Sequence, residues 1–300
     1  MSLIQVTWQG PDGSVWDLYN GTQGLMLAQG LSGLHLPAWK QQVSTSARTP
    51  GRRYLGTVWE ARTVILNLHV GDMVDVPRTA TAWRQLDDLV WQAFDAEQLG
   101  LLYVITDTGG YRQLSCRMET APDPVYPVDP GLQGLATYSV TLTADNPFWQ
   151  ALPITTTPFS STAGSATPYY GGVGGGGFGP PYVTSQSTVT AAFVSNPGDR
   201  PAWPRWVITG PGVWTIGLPG HTTTLPNLAA GQQILIDTDP MVLTVTDQNG
   251  VNLWPTIGVH DFTQPIPVGL NQPLIAQVTG PSTVGGSAQL TITPTFKRAW

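Results

Sequence analysis

The carboxylates of Asp237 and Asp239, in the run Ile236, Asp237, Thr238, Asp239, Pro240, are the pair in this 300-residue chain best spaced to share a cation or to divide acid and base roles. Two acids at a strand end ahead of a proline are also turn formers, because short carboxylates accept from backbone N–H groups just downstream; the turn is the preferred reading. A polysaccharide hydrolase would need two carboxylates about 5 to 9.5 Å apart across a cleft, and nothing singles out such a pair. His35, His69, His221 and His260 share no metal-ligand spacing and read as surface or satisfied core histidines. No G-x-S-x-G elbow presents a nucleophile. Gly172, Gly174 and Gly177 spell G-x-G-x-x-G, but no βαβ pattern precedes them, and Gly179, Pro180, Pro181 follow where a helix should begin. No catalytic residue, metal ligand or cofactor is therefore assigned.

Charge points the same way. Lys and Arg number 13 against 19 Asp and Glu, a formal charge of −6, which argues against phosphate neutralisation and hence against nucleic acid as a partner. The densest basic cluster, Arg48, Arg52 and Arg53 around Pro50 and Gly51, reads as a solvated loop. Cys116 is the single cysteine, so no intrachain disulfide forms and nothing suggests an oxidising compartment. The first eight residues lack a basic and apolar leader pattern, and no run of about 18 apolar residues marks a membrane span. Synthesis and assembly in the cytoplasm are expected. With 11% charged residues and 12 Trp, the chain has the composition of a subunit that covers surface with partners.

Gly at 34 positions and Pro at 27 indicate a turn-rich, mainly β protein, and the length suits two domains. The boundary is placed at Asn146 and Pro147, giving an α+β barrel or sheet over 1–146 and an antiparallel β-sandwich over 147–300. Short strands around 6–8, 15–19 and 24–27 form a meander, and a polar arm over 41–53 lacks periodicity. Val64, Leu66, Leu68 and Val70 alternate as a half-buried strand, with Ile65 as the exception. One helix is expected over 79–97: Trp83, Leu86, Val90, Ala93 and Phe94 share a stripe, Thr79 or Thr81 caps its start, and Gly100 stops it. Asp87 and Asp88 read as solvated. The glycines of 107–110 permit a hairpin turn between strands 101–105 and 111–117. After the break at 146–147, short strands recur at 155–159, 188–194, 206–209, 213–216, 233–236, 242–245, 253–257, 274–278 and 289–293, the pattern of a sandwich. The Gly/Pro-rich tract 167–182 is read as a loop inside it. Trp203, Trp206 and Trp214 could stack on sugar if exposed, although their apolar neighbours favour burial of at least two.

Two motifs carry a resemblance. Ala144–Gln150 (ADNPFWQ), with Asn146, Pro147, Phe148 and Trp149, is similar to the acidic, proline and aromatic motif that closes the N-terminal domain of distal tail proteins of long-tailed, non-contractile phages. Residues 194–212, with Asn196, Pro197, Gly198, Asp199, Pro204 and Gly210, resemble the strand, turn and strand that open their C-terminal sandwich. The order of helix, hairpin with YRQLSCR, closing motif and sandwich matches along the chain, most nearly the minor tail proteins of phages infecting actinobacteria. The resemblance implies a galectin-like sandwich and a virion structural protein at the tail tip. It also implies a hexameric ring built from N-terminal domains, tail-tube and fibre proteins as partners, and arms such as 41–53 that reach neighbours. The competing reading is a carbohydrate-binding module that attaches to a host-surface glycan.

Overall fold

A computed structural model describes residues 4–71, 79–156, 159–160, 167–168, 182–183, 192–279 and 285–300. It is mainly β, with every strand pairing antiparallel, and divides into unit 1, Met1–Leu152 with Thr295–Trp300, and unit 2, Pro153–Pro294.

Unit 1 contains β1 (Gln5–Gln9), β2 (Val15–Asp17), β3 (Leu25–Leu27), β4 (Trp39–Ser46), β5 (Thr49–Trp59), β6 (Arg62–Gly71), α1 (Ala80–Gln92), β7 (Gly100–Thr106), β8 (Gly110–Thr120), α2 (Pro130–Gln133), β9 (Leu135–Ala144) and β10 (Trp149–Gln150). The main sheet runs β2-β1-β7-β8-β9-β6-β3. Its ends approach one another: Leu18, just after β2, donates to Val6 O at 3.0 Å and accepts from Leu27 N of β3 at 2.8 Å. The result is a nearly closed barrel. Alternation fills it, since Val64, Leu66, Leu68 and Val70 are fully buried and oppose Leu142, Val140, Tyr138 and Ala136 on β9.

Thr79 caps α1 through its hydroxyl, which accepts from Ala82 N at 3.2 Å. The helix is pinned by indoles: Trp83 Nε1 donates to Val70 O at 3.1 Å, and Trp8 Nε1 donates to Ala93 O at 2.8 Å while its ring stacks on Phe94. Burying each such ring is worth on the order of 2–3 kcal/mol. The helix ends at Gln92, short of the expected 97, because Asp95 accepts from Glu97 N and Gln98 N and turns the chain. Gly100 does not stop it; it starts β7, where a Cβ would lie 2.4 Å from the Trp8 ring. A second, one-turn helix, α2, was not expected.

Unit 2 contains β11 (Ile154–Thr155), β12 (Phe159–Ser160), β13 (Thr167–Pro168), β14 (Tyr182–Val183), β15 (Ala192–Asn196), β16 (Arg205–Thr209), β17 (Gly212–Leu218), β18 (His221–Leu228), β19 (Gln233–Asp237), β20 (Thr244–Asp247), β21 (Gly269–Thr279) and β22 (Ser287–Ile292). One sheet runs β11-β22-β16-β19-β20 with β12 on β22, the other β15-β21-β17-β18. They share a core of Trp206, Ile208, Trp214, Ile216, Ile236 and Leu290, among others, which makes unit 2 a β-sandwich. Trp206 and Trp214 are buried, as their apolar neighbours indicated.

Several elements differ from the sequence reading. The arm 41–53 belongs to a regular ribbon, β4 paired with β5 from Trp39↔Trp59 outward. β18 was missed because its threonines give no apolar alternation, and Pro226 sits within it. Residues 254–256 form a 3₁₀ turn instead of a strand, with Pro255 inside it. Of the tract 167–182, the structure describes only the end positions 167, 168 and 182, so the loop assignment lies outside the described residues. The division between units falls at 152/153, six residues past Asn146, and returns 295–300 to unit 1. Trp149 is fully buried in the first core, and β10 pairs with β8 and with the C-terminal strand Thr295–Phe296.

Candidate functional site

The chemistry-bearing side chains of unit 1 converge where the chain leaves and re-enters it. Arg62 opens β6 on the same inward parity as Val64 and is 2% exposed. Its guanidinium is satisfied by carbonyls alone: Nε donates to Pro147 O at 2.7 Å, Nη1 to Gly33 O at 2.6 Å and His35 O at 2.7 Å, and Nη2 to Lys297 O at 2.6 Å. Burial pulls it down to about 10. Arg112, near the start of β8 and on the inward parity of Leu114 and Cys116, donates to Arg298 O at 2.6 Å and lies 3.7 Å over the Phe296 ring. Ala299, fully buried, donates to Leu34 O at 3.0 Å. Two core-facing arginines thus hold the 295–300 strap. An arginine at the head of an alternating apolar run was the sequence signal for each.

The motif 146–149 is part of this clasp. Asn146 Oδ1 accepts from Phe148 N at 3.2 Å, Pro147 supplies its carbonyl to Arg62, Phe148 meets Trp59 edge-on, and Trp149 lies beneath the Arg62 guanidinium. Asp145 alongside receives both Nη atoms of Arg117 at 2.6 and 3.1 Å.

In unit 2, Asn196 is fully buried: Nδ2 donates to Arg200 O and Ile266 O, and Oδ1 accepts from Gly198 N at 3.0 Å. Pro197 and Asp199 complete the turn at the surface. Pro204 O accepts from Thr238 Oγ1 at 2.7 Å. Gly210 leaves no room for a side chain, since a Cβ would sit 2.2 Å from Ala229 O.

The residues first considered for catalysis are spread apart. Asp237 pairs with Arg205 at 2.6 Å and accepts from Asp239 N, and Asp239 accepts from Met241 N, which makes them turn formers. Asp87 is not a solvated carboxylate: it is half-buried, accepts from Tyr138 OH at 2.7 Å and Trp91 Nε1 at 3.1 Å, and is raised by burial. Asp88 is exposed. Trp203 is half-buried. His69 meets the Thr137 hydroxyl, His260 packs on Trp254, and His35 lies by Trp300. His221 Nδ1 lies 2.7 Å from Asp261 Oδ2, and the Asp261 carboxyl is lowered to about 2, first by Thr263 and then by His221. The cleft beside that pair, lined in part by Trp206, Leu218 and Phe262, contains no serine or cysteine and holds about 20 Å³, room for a water rather than a sugar ring. Among the described residues no three His, Cys, Asp or Glu are grouped to hold a metal, and no helix is long and apolar enough to cross a membrane.

What unit 1 does present is surface. The β4–β5 ribbon is exposed along β4 and most of β5, with Trp39 and Trp59 stacked edge-on at its base.

No family model matches the chain. Across a 336-residue alignment it is 20% identical to the minor tail protein Gp27 of Mycobacterium phage L5, covering 98% of this chain and 97% of that protein. The crystal structure of the Dit (gp 19.1) protein of phage SPP1, described as a paradigm of the hub adsorption apparatus in phages infecting Gram-positive bacteria, matches with a TM-score of 0.62. That match has 13% identity and spans 98% of this chain and 99% of that one. The chain has the distal tail protein fold. A chain of the phage P2 baseplate in its activated conformation with Ca matches at a TM-score of 0.53 and 14% identity, over 97% of this chain and 98% of that one. Both units of the distal tail protein fold fall within these matches, and the resemblance drawn from 144–150 and 194–212 is borne out.

Proposed function

We propose that this protein is a structural component of the tip of a long, non-contractile phage tail, present in the virion and without enzymatic activity. In this reading copies of unit 1 form a ring, hexameric by the family resemblance, that continues the tail tube. The sandwich serves as a platform for fibre, baseplate or host-attachment proteins. The observation that carries the reading is the match of both units, along nearly the whole chain, to tail-hub and baseplate proteins. A charge-poor chain with an exposed aromatic ribbon is physically suited to obligate contacts, which commonly bury about 2,000 Å² or more. Light scattering on the purified chain, with negative-stain imaging, tests it: a six-fold ring is expected. A chain that stays monomeric at high concentration and also fails to join tail-tube protein would refute it.

A further inference from the structure

In unit 2 the segment 257–266 runs from the turn at 254–256 towards β21 as a loop fixed at both ends. Ile257 and Ile266 are buried, and Ile266 exchanges two backbone hydrogen bonds with Ala202 at 2.8 and 3.0 Å. Between these anchors Asp261 ties the loop to β18. Its N–H donates to the Thr223 hydroxyl at 2.8 Å, and its Oδ2 lies 2.7 Å from His221 Nδ1. Thr263 donates to Oδ1 through its N–H and its hydroxyl, which fixes the carboxylate and leaves Oδ2 for the imidazole.

The histidine stands on the rigid side of this contact. Leu218 and His221 are the pair that closes the β17–β18 hairpin, and a Cβ on Gly217 would lie 2.1 Å from His221 O, so the backbone there is packed tight. Under the loop is the water-sized cleft lined by Pro204, Trp206, Leu218 and Leu274, with Phe262 of the loop as one wall. Trp206 is 2% exposed with the loop in place. Few other charges reach the pair. β17, β18 and β21 contribute no further ionisable side chain. On the loop, His260 packs on Trp254 and Phe262, and its Nδ1 lies 3.2 Å from Gly258 O. Beside Thr238, Arg205 and Asp237 pair with each other and Asp239 accepts from Met241 N. The Asp261 carboxyl, lowered by Thr263 first and then by His221, stays ionised at mildly acidic pH, and an imidazole is the side chain that changes charge between about pH 5 and 8.

We infer that His221 and Asp261 form a proton-dependent latch that holds loop 257–266 closed over the apolar cleft of the sandwich. Charged imidazole against ionised carboxylate closes the loop; neutral imidazole loses the ion pair while the Thr223 bond, which does not titrate, remains. Rising pH therefore loosens the loop rather than releasing it. The latch lies wholly within unit 2 and does not depend on the tail-tip reading.

Hydrogen exchange of the full-length chain, read by mass spectrometry on a peptide spanning 258–264, tests it. Rates are divided by those of the free synthetic peptide at about pH 5.5 and about pH 8, either side of the ordinary imidazole range. Protection should fall about threefold between the two, a modest change because both partners are partly exposed. His221→Gln, which can still donate to Asp261 but carries no charge, should make protection independent of pH, and Asp261→Asn should do the same. His260→Gln should keep the dependence of the original chain. Protection of the β16 and β19 peptides reports that the sandwich of each variant is folded. Equal protection at both pH values in the original chain, or a dependence that survives His221→Gln and disappears with His260→Gln, overturns the latch. The original chain decides the first of these by itself, whether or not a variant folds.

Discussion

Arg62→Met keeps most of the side chain's volume and removes every donor from the clasp. Four carbonyls, those of Gly33, His35, Pro147 and Lys297, then lose a charged partner. A hydrogen bond to a charged group contributes about 2 kcal/mol net, so the four together stabilise by about 8 kcal/mol. Against this stands the burial of the guanidinium: lowering it from its ordinary value to about 10 corresponds to about 3 kcal/mol. The methionine recovers about 1 kcal/mol of apolar burial, leaving an expected loss of about 4 kcal/mol. Arg62→Lys, a point donor that cannot span three directions, should lose about half as much. The folded-state value lies below the unfolded one, so the burial penalty is fully present below about pH 10 and fades only as pH climbs above it towards the ordinary arginine value. The difference between the two proteins should therefore be flat from about pH 6 to about pH 9. The assay uses Cys116, the single cysteine, fully buried in the unit 1 core, as a reporter: its thiol labelling rate in graded urea gives the opening free energy of unit 1 without contribution from unit 2. A loss below about 1 kcal/mol would refute the assignment of Arg62 as the clasp.

Burial raises the Cys116 thiol to about 12, so the native chain should resist a thiol reagent at pH 8 and react stoichiometrically once unfolded; native reactivity like that of a free thiol would contradict the barrel packing. The strands that carry unit 2 out and back are neighbours, Gln150 opposite Thr295, a separation of about 4.5–5.5 Å between Cα atoms. Replacing 151–294 by an Asn-Gly turn should leave unit 1 folded, with Cys116 still protected; loss of that protection would show that unit 1 depends on the sandwich. Gly210→Ala should cost about 2–3 kcal/mol in thermal or urea unfolding of unit 2, because a methyl there would lie 2.2 Å from Ala229 O unless the backbone shifts, and an unchanged midpoint would contradict that close approach. Tyr138→Phe frees half-buried Asp87 of one donor and should lower unit 1 stability by about 1 kcal/mol, measured by the same labelling assay.

Local pattern made the barrel strands readable. Val64 to Val70 alternates because a strand shows one face to the core, the α1 stripe repeats because a helix does, and the hairpin at 107–110 rests on glycine at φ 67 in position 110. The turn role of Asp237 and Asp239 was equally local, since each accepts from an N–H two residues on. What parity could not convey was the partner. Arg62 and Arg112 stand on inward positions, which a sequence can flag, but their acceptors lie as far as 235 and 186 residues away in the returning strap. The ribbon was invisible to periodicity because neither face is buried by its own chain, so no selection for alternation marks it.

Sequence alone determined the mainly β composition, the single helix of length, the two motifs and the resemblance they carry. Tertiary structure alone decided that the chain returns: 295–300 closes onto unit 1, so the sandwich is an insertion with both ends on adjacent strands rather than a tail. The physical reason is that hydrophobic and turn signals act over a few residues, whereas a buried guanidinium selects whichever carbonyls the fold brings within 3 Å.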